Sequence, residues 1–259
     1  MHRTTRFKPN LNKIEIDLTY ACNLRCAGCN RSCSQAPADL HLPLHRIEEF
    51  LASSLATGHH WESIHLLGGE PTLHPDFLAI VSMIETWADR HSPMTELKVV
   101  SNGHGTKTQK LLQAIDSKRW VHAKSHKDSP YQDFFEPFNQ APIDQPGWET
   151  EDYSRGCWIT LYCGIGLTPL GYFPCAVAGG IERVFGFGLG HGSFSNNSLD
   201  SMLQVYCRFC GHFLQENYRP RPVRLGNFTD KLSPSWQCAY ESWKERELGE
   251  NNDKNSPAK

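Results

Sequence analysis

Ten cysteines are the residues of this 259-residue chain best placed to do chemistry, and they fall into two groups separated by more than a hundred cysteine-free residues. The first group is Cys22, Cys26, Cys29 and Cys33, and the second is Cys157, Cys163, Cys175, Cys207, Cys210 and Cys238. In Tyr20-Ala-Cys22-Asn-Leu-Arg-Cys26-Ala-Gly-Cys29 the spacing is C-x3-C-x2-C on a short loop after a strand-like run. Three thiolates on a tight loop can hold three irons of a four-iron cube and leave the fourth iron open to an outside ligand, which implies catalysis rather than simple electron storage. The competing reading is a structural zinc site completed by Cys33, since short cysteine spacings also suit zinc. In the second group, Cys157-x17-Cys175 brackets a turn composition, Thr168-Pro-Leu-Gly171, and Cys207-Arg-Phe-Cys210 adds a C-x2-C pair, so four sulfurs could converge there. Zinc is again the alternative.

The elements that must position these groups read as α/β. Ile14 to Thr19 alternates as a strand and runs into the first cysteines. After Pro43, Leu44, Ile47, Phe50, Leu51 and Leu55 recur at helical spacing, with Gly58 as the stop. Ile64 to Leu67 is a buried-strand candidate ending in Gly68-Gly69, and Phe77, Ile80, Val81 and Ile84 form the next helical stripe. Leu97 to Val100, a stripe at Leu111, Leu112 and Ile115, and a strand over Val121 to Lys124 complete an alternation typical of a parallel sheet. Asp128 to Gly156 reads as a long loop over a substrate, with Tyr131, Phe134, Phe135, Trp148 and Tyr153 either lining a pocket or pinning the loop. Trp158 to Thr168 and Tyr172 to Val177 read as a β-hairpin, Pro234 to Leu248 as a last helix, and the remainder as a polar tail.

With 26 Lys+Arg against 28 Asp+Glu and a sequence pI near 6.7, there is no basic field to hold phosphate backbones, so nucleic acid is not expected as a partner. No apolar run reaches membrane-spanning length and the first ten residues lack a secretory core, so a cytoplasmic protein without a membrane partner is expected. In that setting cysteines serve metal ligation or catalysis rather than disulfides. The Gly186-Phe-Gly-Leu-Gly190 run lacks the ending of a phosphate-binding loop.

The C-x3-C-x2-C loop after the first strand, together with Gly68-Gly69-Glu70-Pro71 after the second, resembles the radical S-adenosylmethionine (SAM) superfamily. That resemblance implies a [4Fe–4S] cluster on Cys22, Cys26 and Cys29, with SAM chelating the open iron. It further implies that Gly68, Gly69, Glu70 and Pro71 receive the methionyl amino group through backbone carbonyls and the acidic side chain. Ser101-Asn102-Gly103 looks like the family's Ser/Thr-Asn-Gly segment that contacts the ribose or the methionyl carboxylate, and a generic turn explains it about as well. One departure is Gly28, where the family usually carries an aromatic residue against the adenine.

The second cysteine group resembles the twitch domain, a shortened SPASM extension, which implies an auxiliary [4Fe–4S] cluster on Cys157, Cys175, Cys207 and Cys210. Cys163 could replace Cys157, although it leaves a short stretch before Gly171. Cys33, Cys163 and Cys238 are left over, and one of them could donate a hydrogen atom to a substrate radical. The implied fold is a partial (β/α) TIM-like barrel over residues 12–150, a small β-hairpin and helix auxiliary-cluster domain over 151–248, and a disordered tail over 249–259. The implied activity is reductive cleavage of SAM to a 5′-deoxyadenosyl radical, hydrogen abstraction, and oxidation (dehydrogenation) or rearrangement of a small polar metabolite, with a flavodoxin or ferredoxin-type reductant. Epimerisation and ribosomal-peptide modification are the enzymatic alternatives; the short stretch before the first strand leaves no room for a leader-binding domain and favours a small molecule. A two-cluster electron carrier, with Cys33 as a fourth ligand of the first cluster, and a zinc-stabilised binding module are the non-enzymatic ones.

Overall fold

The structure is a computed structural model describing residues 5–26, 28–124, 134–135, 138–193, 199–214, 223–224 and 232–254. Strand β1 (Lys13–Thr19) is followed by α1 (Leu44–Ala56), β2 (Ser63–Gly68), α2 (Phe77–His91), β3 (Glu96–Ser101), α3 (Thr106–Gln113) and β4 (Trp120–Lys124). A two-residue strand β5 (Phe134–Phe135), helix α4 (Trp158–Tyr162), strands β6 (Ile165–Thr168) and β7 (Gly171–Phe173), and helices α5 (Ala176–Phe185) and α6 (Leu199–Tyr206) come next. Strand β8 (Val223–Arg224), which pairs antiparallel with β5, and α7 (Pro234–Lys254) complete the chain. No helix among the described residues is long and apolar enough to cross a membrane.

The main sheet has the order β4-β3-β2-β1-β6-β7, parallel except for β7. It is open, with β4 and β7 at its edges. The β6–β7 hairpin joins this same sheet beside β1, so residues on either side of position 150 share one sheet. Gly164 allows that pairing, since a Cβ there would lie 2.1 Å from the Lys13 carbonyl oxygen, and Gly166 makes room for the start of α5, since a Cβ there would lie 2.4 Å from the Ala176 nitrogen. Residues 158–162, expected to be extended, form α4 instead; the Thr160 hydroxyl caps back onto the Cys157 carbonyl at 2.7 Å. Helix α7 runs past residue 248 to Lys254.

Alternation along β1 decides the two faces. Ile14, Ile16 and Leu18 enter the main core with Ile64, Leu66, Leu97, Val99 and the apolar stripes of α1 and α2. Glu15, Asp17 and Thr19 point to the opposite face and are also buried. Helix α5 crosses that polar face, because Gly166, in register with Glu15, abuts Cys175 and Ala176. The stretch 138–156 is pinned by Phe138, Ala141 and Tyr153, all fully buried, and by Trp148 packed on Phe213. Tyr131 and the side chains of Phe134 and Phe135 lie outside the described residues.

Arg31 neutralises the polar face. Its Nε donates to both Asp17 carboxylate oxygens at 3.3 and 3.2 Å, and its Nη2 donates to Glu15 at 3.0 Å. Burial pushes the Asp17 carboxyl up to about 6 against the pull of Arg31. Burial also works against the Arg31 charge, but the two carboxylates outweigh it and hold its pKa well above the ordinary value. Arg31→Met should therefore leave two buried carboxylates uncompensated and lower the unfolding free energy at pH 7 by about 3–5 kcal/mol. The Asp17 pKa is raised on folding, so the folded state takes up a proton before the unfolded state as the pH falls, and the loss should shrink toward pH 5. Urea unfolding of wild type and variant at both pH values checks this; a loss under about 1 kcal/mol, or one that grows with acid, is the contrary result.

Candidate functional site

The parallel order β3-β2-β1 brings three strand ends side by side, and each leads into a segment singled out by its sequence. The first is the cysteine loop, the second Gly68–Pro71, the third Ser101–Asn102. Gly68 has φ of +127°, and a Cβ there would lie 2.4 Å from the Thr19 carbonyl oxygen; a Cβ on Gly69 would lie 2.3 Å from the Ala21 oxygen. The two glycines therefore let the turn dock against the backbone leading into Cys22. Gly69 N–H donates to Thr19 at 2.7 Å and Glu70 N–H to Ala21 at 2.9 Å.

Glu70 is fully buried, and its carboxylate accepts from the Thr72 N–H and hydroxyl, the Ser101 hydroxyl and the Asn102 N–H at 2.8–3.2 Å. The carboxylate thereby clamps the end of β2 to the end of β3. Pro71 opens a single 3₁₀ turn, Pro71–Leu73, where its missing N–H costs nothing. Asn102 extends the clamp to the cysteine loop: its Nδ2 donates to Asn23 Oδ1 at 2.7 Å and lies 3.9 Å from Cys22 Sγ. Asn23 in turn donates to the His104 carbonyl at 2.7 Å, and the Leu24 N–H reaches Cys22 Sγ at 3.5 Å.

After Cys29 the chain makes a turn that sequence reasoning missed. Ser32 has φ of +53°, the only positive value at a non-glycine among the described residues. It is locked there by its N–H to the Cys29 carbonyl (2.8 Å), its own carbonyl accepting from Ala36 N–H (2.9 Å), and a hydroxyl contact of 2.8 Å with Tyr240. The turn buries Cys33 beside Cys29; the hydrogen bond to Cys29 and burial push the Cys33 thiol well up. Cys26 is buried, with its carbonyl held by Ser34 and Gln35. Arg183 and Tyr240, which grip this segment, lie too far along the chain for any local pattern to have linked them to it.

In the second group, Cys157 and Cys175 stand at the N-termini of α4 and α5, and Cys207 and Cys210 flank a short 3₁₀ turn. All four line one recess, with Ile181 and Tyr206. Backbone N–H groups of Ala178 and of His212 and Phe213 point to the sulfurs of Cys175 and Cys210, respectively. Burial pushes the Cys175 thiol up to about 12 and those of Cys207 and Cys210 well above the ordinary value. Among the described residues no three metal-ligating side chains converge on the point a single ion would occupy. A set of four buried cysteines around a recess, with N–H donors to sulfur, fits an iron–sulfur cluster.

Cys163 is elsewhere: it hydrogen-bonds Glu15 near the start of β1, and burial raises its thiol pKa. Four strand residues at about 3.3 Å each put that level about 13 Å from the Thr19 end. Cys238 is exposed on α7. Of the three leftover cysteines, Cys33 alone accompanies the first loop.

Glu70→Gln replaces one carboxylate oxygen by an NH₂ group facing donors in a fully buried site. It should lower the unfolding free energy by about 1–3 kcal/mol, measured by chemical denaturation of the metal-free chain. A neutral result would mean that the strand-end clamp carries no energy.

Residues 16–123 match the model of the Radical SAM superfamily. GTP 3′,8-cyclase of Mannheimia succiniciproducens is 38% identical over 73 residues, which are 27% of this chain and 21% of that protein. A probable GTP 3′,8-cyclase of Thermococcus kodakarensis is 31% identical over 98 residues, 38% of this chain and 29% of that protein. The chain thus spans less than a third of the length of either relative. Among solved structures, BtrN in complex with AdoMet and 2-DOIA is similar at a TM-score of 0.46 and 12% identity, covering 84% of this chain and 100% of that chain. BtrN in an open conformation scores 0.42 at 14% identity, covering 78% and 87%. At those scores the likeness carries no argument about chemistry. Cys22, Cys26, Cys29, the Gly68–Pro71 turn and Ser101–Asn102 all lie within the stretch 16–123 that matches the Radical SAM superfamily model.

Proposed function

We propose that this chain is a radical SAM enzyme that oxidises (dehydrogenates) or rearranges a small polar metabolite. The observation that carries the reading is the strand-end junction: Glu70 and Asn102 tie the C-x3-C-x2-C loop, the Gly-Gly-Glu-Pro turn and the Ser-Asn segment into one unit. Cys22, Cys26 and Cys29 would hold a [4Fe–4S] cluster with SAM, and Cys157, Cys175, Cys207 and Cys210 an auxiliary [4Fe–4S] cluster. When loaded, the first site supplies one-electron cleavage of SAM and hydrogen abstraction, and the second a one-electron acceptor.

The chain's own contribution is placement and exclusion. The Gly68–Gly69 junction sets where the loop leaves β1, and Asn102 holds the Cys22 side of that loop. Cys26 and the four cysteines of the second set are buried, which keeps water and stray hydrogen donors from them. Of the three leftover cysteines, Cys163 bonds Glu15 and Cys238 is exposed, so the hydrogen donor that epimerisation needs would be Cys33, which stands against Cys29. The reading assigns radical generation to residues 12–150 and the auxiliary site to 151–248, with a flavodoxin or ferredoxin-type reductant, a small-molecule substrate and a cytoplasmic setting. The named relatives act on GTP, but they are matched over too little of their length for GTP to be carried over as the substrate.

A second reading, a two-cluster electron carrier, is favoured by Cys33 standing against Cys29. It leaves the Glu70–Asn102 junction without a role. Anaerobic reconstitution followed by dithionite, SAM and assay for 5′-deoxyadenosine separates the two. The expected result is about eight irons per chain and product that disappears in Cys26→Ala. Full iron without cleavage, in the presence of candidate substrates, would support the carrier, and zinc in place of iron would overturn both.

A further inference from the structure

Helix α5 physically connects the two cysteine sites. Its N-terminus is Cys175, and Ala176 lies over Gly166 at the level of Glu15. Ten residues at about 1.5 Å each carry it about 15 Å across the polar face. At its middle it meets the segment that follows Cys29: a Cβ on Gly180 would lie 2.6 Å from the Asn30 carbonyl oxygen and 3.1 Å from Arg31 Cα. Arg183, one turn on, is buried with its guanidinium 4.6 Å over the ring of Tyr20, the residue just beyond β1. Nη2 donates to the carbonyls of Arg31 (2.6 Å) and Ser32 (2.9 Å), and Nη1 donates to that of Ala36.

All three acceptors are backbone carbonyls, so no carboxylate balances this buried cation through these bonds, and its Nε is buried without a hydrogen-bond partner among the described residues. A buried cation is costly unless an anion compensates it. Three or four thiolates around iron would be such an anion, and Arg183 sits against the turn that carries Cys29 and Cys33.

We propose that Arg183 is a positioning residue for the first cysteine site: its fork holds residues 31–36 in the strained turn at Ser32, and its charge is the fixed counter-charge of the loaded site. This rests on the reading of that site as a cluster site. Because Arg183 rides on the helix that begins at Cys175, the second site and the first share one rigid element.

The test compares wild type, Arg183→Met and Arg183→Lys in two measurements. In the metal-free chain, hydrogen exchange is read at the amides of Ser32 and Ala36, which donate to Cys29 and Ser32 in the held turn. Both variants lose the fork, and exchange there should be at least about tenfold faster than in wild type, with β2 and β3 unchanged. In the reconstituted chain, an EPR-monitored titration reads the potential of the signal that responds to SAM. Arg183→Met should disfavour reduction about tenfold, equal to 59 mV for one electron. Arg183→Lys, which keeps the charge, should stay near wild type. Unchanged exchange at Ser32 and Ala36 in both variants, or an unchanged potential in a fully loaded Arg183→Met, overturns the proposal. If Arg183→Met fails to fold, exchange in Arg183→Lys decides the holding role. A wild type that takes up no iron overturns the cluster reading, while the exchange result still decides whether Arg183 holds the turn.

Discussion

Two absent methyl groups set the geometry on which the first site depends. Gly68 and Gly69 bring the backbone of the β2 turn to within hydrogen-bonding distance of Thr19 and Ala21, where any Cβ would sit inside the contact radius of a carbonyl oxygen. Neighbouring parallel strands are ordinarily held by their ladder alone, and their ends splay into loops. Here the ladder is prolonged past the end of β1, and Glu70 then reaches sideways to Ser101 and Asn102 of β3. The cysteine loop leaves from this fused edge, so the direction in which Cys22 departs is dictated by residues nearly fifty positions later in the chain.

The opposite demands on the two faces of β1 explain much of the remaining architecture. One face needs only apolar volume, and α1 and α2 supply it with ordinary amphipathic stripes. The other carries Glu15, Asp17 and Thr19 into the interior, where two carboxylates require a cation with fixed geometry. Arg31 supplies it and is immobilised in turn, so the residue that neutralises the sheet also anchors the chain two positions beyond Cys29. Helix α5 can lie close over this face because Gly179 and Gly180 present no side chains to Thr168 and Asn30. In the sequence those glycines resemble a helix breaker; in the structure they are the contact surface of a helix.

Periodicity made the strands and helices from β1 to β4 legible, since each carries an apolar repeat matched to its own geometry. The first cysteine loop and the Gly-Gly-Glu-Pro turn were legible as residue types at fixed spacing. What periodicity reports is which face of an element is buried, not what covers it. For that reason the hairpin was foreseen over too long a span, and its place beside β1 was not foreseen at all, because the close approach there rests on Gly164 rather than on any repeat. The same limit applies to Glu70. Its type announced chemistry, and its burial among four donors became visible only when three strand ends met. Of the two candidates in the second group, position along the sheet separates Cys157 in the recess from Cys163 against Glu15, a distinction that counting residues to Gly171 approached only by length.

The contact between the Ser32 and Tyr240 hydroxyls spans 208 positions of sequence. A chain emerging from the ribosome at roughly 5–20 residues per second would expose the first cysteines some ten to forty seconds before Tyr240 exists to close the turn beside them. Throughout that interval four thiols stand on a loop whose strained residue has no restraint from the far end of the molecule. Premature capture of an adventitious metal, or oxidation of a neighbouring pair, is then a hazard of biosynthesis rather than of the finished fold. Closure of the turn beside the first cysteines by the Ser32–Tyr240 contact therefore waits for α7.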